Sequence, residues 1–171
     1  MIDKNLISKV KWDVYLFEAN PFFDQDLINL KKTLEQNGEN VFLYNSTASW
    51  IYDGFIEFYL DTINKKQNFY GSSLEFNHPD VIQSGSKKVK IPCKNVATIL
   101  KKYKITDFLV VKIDIEGSEY EMLIHLLKEN VVDLIDLIPI EYHRGVSKLK
   151  TPEQTFNYIY KSFGVKLLKW V

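Results

Sequence analysis

The chain has 171 residues, 46% of them apolar and 14% aromatic, and its 22 basic and 22 acidic side chains leave no formal net charge. That composition suits one folded domain, able to bury roughly 70% of the surface its unfolded chain exposes, and it argues against disorder and against a charge-driven need for nucleic acid. Cys93 is the only cysteine, which excludes an intrachain disulfide and a cysteine-based metal cluster. With a charged N-terminus and no run of about 18 apolar residues, the sequence reads as a soluble cytoplasmic protein without a membrane span.

In chain order, residues 1–10 form a short helix or a loose arm. Trp12–Phe17 is a strand, closed by Glu18, Ala19, Asn20 and Pro21, because proline biases the residue before it away from helical angles. Leu27, Leu30 and Leu34, with Phe23 and Ile28, predict a helix that stops at Asn37-Gly38. Val41–Tyr44 is a second strand, and strand, helix, strand is the unit of a parallel sheet. Ser49–Ile51, a turn at Asp53-Gly54 and Phe55–Leu60 predict a hairpin. Asp61–Lys88 has no regular period, and a loop of that length is either functional, mobile or the cover of a missed element. Lys88–Ile91 reads as a brief extended piece ending at Pro92, and Val96, Ile99, Leu100 and Tyr103 predict a helix.

Phe108–Val111 is a short apolar run that continues through Ile113 and Ile115, as a buried central strand would. At Gly117 the period changes, and Tyr120, Leu123, Ile124 and Leu127 mark one face of a helix. Leu134–Ile140 is a further strand with a bulge or end near Pro139, since proline has no ladder donor. Thr151-Pro152 starts a helix with Phe156, Ile159, Tyr160 and Phe163 on its buried face, and Val165–Val171 is a last strand.

The chemistry gathers at strand ends. Glu18 stands where a carboxylate can accept both hydroxyls of a ribose, or simply cap the next helix. Asp114, Glu116 and Glu119 are the densest acidic cluster, and like charges this close need a cation, a metal or hydrogen-bond donors beside them. General base, hard metal ligand and amine binder are all open to them, as is capping of the following helix. Glu141, His143 and Arg144 follow the next strand and become neighbours of Asp114 if the two strands pair. His143 is then the natural proton carrier. His125 lies among leucines and reads as structural, while His78 lies in the long loop. Asp114 and Glu141 could also act as the paired carboxylates of a glycosidase. No G-x-G-x-x-G or G-x-x-x-x-G-K-[ST] run occurs.

VVKIDIEGSEYEML from Val110 to Leu123 resembles the signature of the FkbM-type methyltransferases, and VYLFEANP from Val14 to Pro21 is similar to their second-strand segment. Asn45 with Ala48, Asp53-Gly54, Gly71-Ser72-Ser73-Leu74 and Ile140-Glu141-Tyr142-His143 follow in the family's order, so the likeness covers about residues 12–145. The resemblance implies an α/β fold: a three-layer Rossmann-like class I methyltransferase sheet, here truncated at its N-terminus and carrying a hairpin insertion. It implies S-adenosylmethionine as cofactor and O-methylation of a sugar or other small molecule. Glu18, Asn20 and Asp114 become cofactor-side residues, and Asp114, Glu116, Glu119 and His143 become catalytic or acceptor-side candidates. The family's first strand and glycine-rich turn have no counterpart ahead of Trp12. That implies a fragment of a longer product, a closed gap, or a strand recruited from a partner or a second copy. A non-catalytic binding or assembly module derived from such an enzyme is the alternative reading.

Overall fold

A computed structural model describes residues 10–64, 71–143 and 153–170. The chain divides into two compact units, residues 1–49 and 50–171, and each is described by itself. The predicted N-terminal helix or arm lies outside the described residues.

The first unit is a strand–helix–strand element. β1 (Asp13–Phe17) and β2 (Asn40–Tyr44) pair in parallel, with Tyr15 opposite Phe42 and Phe17 opposite Tyr44. Those cross-strand pairs stack, with ring centroids 4.5 Å and 4.4 Å apart, and such pairs are the stabilising unit of a sheet. Between the strands, a 3-10 turn over Pro21–Phe23 leads into α1 (Asp24–Gln36). Asn20 caps that turn by accepting the Phe22 N–H, and Gly38 at φ +93° lets the chain leave the helix. Leu27, Ile28 and Leu34 are half-buried on one face of α1, but Leu30 is exposed. Lys31 crosses from the helix to the Val41 carbonyl at 2.9 Å. β3 (Ala48–Trp50) lies at the boundary of the two units.

In the second unit, β4 (Gly54–Tyr59) takes β5 (Lys88–Asn95), not β3, as its antiparallel partner, with Ile56 opposite Ile91 and Phe55 opposite Pro92. The hairpin expected across Asp53-Gly54 therefore does not form. β5 also runs through Pro92: its residues alternate, with Ile91 and Cys93 buried and Lys90, Pro92 and Lys94 exposed, so proline falls on the outer face. The loop expected over residues 61–88 contains one helical turn, α2 (Pro79–Gln83), which His78 caps through its ring Nδ1. Within that loop the buried Asp61 carboxylate accepts the backbone N–H groups of Ile63 and Asn64 and the Ser84 hydroxyl. Burial opposes its charge, but these donors outweigh burial and lower its pKa.

α3 (Val96–Leu100) starts at the Asn95 side-chain cap, and α4 (Glu119–Lys128) starts at Ser118. α4 buries Tyr120, Met122, Leu123 and Leu126, while Ile124 and Leu127 of the expected face are half-buried. A 3-10 turn over Val132–Leu134 precedes β6 (Leu137–Ile140), so the strand begins three residues later than expected and ends one residue after Pro139. β7 (Lys166–Lys169) pairs with β6 in parallel, and α5 (Glu153–Ser162) connects the two strands' half of the chain. Thr151 and Pro152 lie outside the described residues. Phe163 is 47% exposed, because the chain turns out of α5 at Gly164, where φ is +83°.

The stretch expected as the central strand pairs with β6 through single bridges at Val110–Leu137 and Ile113–Ile140 and is not a regular ladder. Phe108 and Val110 are 61% and 43% exposed, while Leu109 and Ile113 point into the core. The fold shown by the described residues is thus mixed α/β with small separate sheets. Its largest core joins α3, α4, α5, β6 and residues 109–113, and Leu123, Leu126, Ile138, Ile140 and Tyr160 are fully buried there.

Candidate functional site

Pairing of residues 109–113 with β6 fixes what stands at their ends. Ile113 donates its N–H to the Pro139 carbonyl at 2.9 Å, and Glu141 donates its N–H to the Ile113 carbonyl at 3.0 Å. Asp114 and Glu141 are therefore the first residues past the Ile113–Ile140 parallel bridge between residues 109–113 and β6, with His143 two residues further. Donor atoms of Asp114, Glu141 and His143 all lie within 4.8 Å of one another, as expected if those strands pair.

A tight turn brings in the other acids. Glu116 has φ +51° and Gly117 φ +107°, two consecutive left-handed residues that reverse the chain before α4. A glycine takes that conformation without cost, and a glutamate holds it against about 1 kcal/mol of strain. Ser73 steadies the turn by donating its hydroxyl to the Glu116 carbonyl at 2.5 Å. The turn carries the Glu116 carboxylate to 3.2 Å from His143 Nε2 and 3.6 Å from His78 Nε2.

Glu119, the first residue of α4, is fully buried. Its Oε1 accepts the backbone N–H groups of Gly117 at 3.0 Å and Ile115 at 3.3 Å and contacts His143 Nδ1 at 2.8 Å. Glu119 is therefore the clasp of the turn and the holder of the imidazole. A carboxylate can only accept, so the Nδ1 atom carries the proton. Among the described residues, Glu119 Oε2 is buried with no hydrogen-bond partner, and so are the hydroxyls of Ser118 and Tyr142.

Burial works against charge on His143, but the hydrogen bond it donates to Glu119 and the carboxylates of Glu116, Glu119 and Asp114 overcome it and raise its pKa to about 9. His143 is thus held in its protonated form near neutral pH. Lys112 reaches Asp114 at 2.7 Å from the same strand and lies over the Trp170 ring. Four carboxylates thus face two fixed cations, His143 and Lys112. Tyr142 stacks on Tyr120, and burial pushes its phenol pKa up, so it remains a neutral hydroxyl.

The structure brings together Asp114, Glu116, Glu119 and His143 and adds Glu141, His78 and Ser73. Only the last two escaped the sequence reading as partners of the acids, since they lie some 40 residues upstream in a stretch without periodicity. His125 is 2.9 Å from the Asn95 cap oxygen, and burial lowers its pKa, a structural role as expected. Arg144 lies outside the described residues.

Glu18 and Asn20 belong to the first unit. Glu18 follows β1, bridges to Thr47 through its backbone, and accepts the Asn20 N–H on Oε1 at 2.7 Å. Asn20 is 2% exposed and its side chain caps the next turn, so it shapes the corner in which Glu18 is held.

No curated protein and no solved structure gives a match to this chain. The family model described as the methyltransferase FkbM domain matches residues 5–160, and that span contains every residue of the acidic centre and the Glu18 corner. The chain belongs to the FkbM methyltransferase family.

Proposed function

We propose that the protein is an S-adenosylmethionine-dependent O-methyltransferase acting on a hydroxyl of a sugar or another small molecule. The observation that carries this reading is the cluster of Asp114, Glu141 and His143 just past the parallel bridges between residues 109–113 and β6, a position like the edge at which open α/β sheets bind ligands. Two parallel pairings, β1 with β2 and β6 with β7, support the three-layer class I arrangement as the parent fold.

The cofactor supplies a methyl group activated on a sulfonium. Glu18 fits the ribose of such a cofactor: the Asn20 N–H pins its carboxylate at the strand end, where an acid can receive two vicinal hydroxyls. This sequence has no glycine-rich run, so Glu18 is the anchor that can be named in it. On the acceptor side, Asp114 would orient the hydroxyl and take its proton, while the bound cofactor would supply the methyl group. His143 and Glu119 are positioning residues, and the charge on His143 holds Glu116 and Glu119 in place.

Calorimetric titration with S-adenosylmethionine and S-adenosylhomocysteine tests the reading. Saturable binding is expected, and Glu18→Ala, which removes charge-assisted hydrogen bonds of about 1.5–3 kcal/mol, weakens it about 10–100-fold. Absence of heat at about 1 mM cofactor, a range that detects even weak sites, overturns it.

A further inference from the structure

We propose that Asp114, Glu141 and His143 form a site for one divalent first-row cation, bound through one carboxylate oxygen of each acid and Nε2 of the imidazole. Its use, presenting the acceptor oxygen, rests on the methyltransferase reading, while its binding does not.

Three observations carry this. The donor atoms already converge: Glu141 Oε1 is 3.9 Å from His143 Nε2, and the whole set lies within 4.8 Å. Two ligands at about 2.1 Å from one ion are at most about 4.2 Å apart, so closure needs shifts of about half an ångström in part-exposed carboxylates. The second is Glu119, fully buried behind the imidazole, with Oε1 on His143 Nδ1 and Oε2 without a hydrogen-bond partner among the described residues. A carboxylate on one ring nitrogen fixes the tautomer and turns the other nitrogen outward as a ligand, the arrangement metal-binding histidines use. The third is charge: the carboxylates of Asp114, Glu116, Glu119 and Glu141 gather here beside the Lys112 ammonium, and like charges held this close favour a further cation.

The donor set also indicates the ion. Two carboxylates with an imidazole suit manganese, iron or zinc better than calcium, which takes oxygen alone. The Lys112–Asp114 pair is exposed and holds little energy, so it yields to a stronger ligand.

The experiment titrates the chelator-stripped full chain with Mn2+, reading free aquo-ion by electron paramagnetic resonance, without S-adenosylmethionine. One saturable site is expected. Glu141→Gln and His143→Gln weaken it at least about tenfold, and Glu119→Gln, which never touches the ion, weakens it about 10–100-fold through the imidazole. Glu57→Gln, on an exposed carboxylate paired with Lys88, leaves it unchanged. Glu141 is part-exposed, so its variant tests the site even if the Glu119 variant does not fold. No saturation below about 1 mM, or wild-type affinity in both Glu141→Gln and His143→Gln, overturns the proposal. Cofactor titration in chelator separates the two readings. If S-adenosylmethionine binds and Mn2+ does not, the cation site alone fails, and if Mn2+ alone binds, the site stands and the methyl-transfer use fails.

Discussion

The charge on His143 makes the stability of the metal-free protein depend on pH in a definite direction. Its pKa rises from 6.5 to about 9 on folding, because the carboxylates of Glu119, Glu116 and Asp114 outweigh the cost of burying it. At about 1.4 kcal/mol per pH unit, that difference is worth about 3 kcal/mol of folding stability. The side chain is 18% exposed, so solvent screening takes little from that figure. A folded-state pKa above the unfolded one means that the native state binds the extra proton. The stabilisation is complete below pH 6.5, declines as pH rises, and is gone above about 9. Glu141 faces the same ring, and His78 shares Glu116, so the comparison must isolate His143. Urea unfolding of wild type and His143→Gln in chelator, between about pH 6 and 9.5, does so, since the variant subtracts every other titration. The stability difference between the two proteins falls by about 3 kcal/mol across that window. A difference that stays flat, or grows with pH, refutes the assignment of a charged His143 held by Glu119.

Two further outcomes follow from packing. Tyr160 is fully buried and donates its hydroxyl to the Leu123 carbonyl at 2.7 Å, so Tyr160→Phe costs about 1–2 kcal/mol in denaturant unfolding; a loss below a few tenths shows the bond to be dispensable. Gly71 leaves no room for a methyl group, since an added Cβ falls 2.5 Å from the Asp80 Cβ and closer still to its carboxylate. Gly71→Ala therefore lowers stability by about 1–3 kcal/mol in the same assay, and Asp80→Gly restores much of it. An unaltered midpoint in Gly71→Ala means that α2 moves aside without cost.

Local elements were legible where one face dominates a short stretch. β1, α1 and β2 appeared within a residue or two because alternation, the 3.6-residue period and Asn37-Gly38 act along neighbouring residues. The corner at Glu116-Gly117 and the start of α4 were also visible, since a change of period and a glycine mark such a switch. Buried faces were less exact: Leu30 and Phe163 fit the period but are exposed, because a helix's neighbours decide how much of it they cover.

The sequence by itself determined that one chain of balanced charge folds as α/β elements, and it placed Glu18, Asp114, Glu116, Glu119, Glu141 and His143 at or beside strand ends. Partnership was decided only by tertiary structure: β4 with β5 in place of the expected hairpin, His78 and Ser73 on Glu116, and Glu119 on His143. The physical reason is separation along the chain. Periodicity and turn chemistry are written in adjacent residues, whereas the charge state of His143 depends on carboxylates 24 to 29 positions away, which packing must first bring within hydrogen-bonding distance.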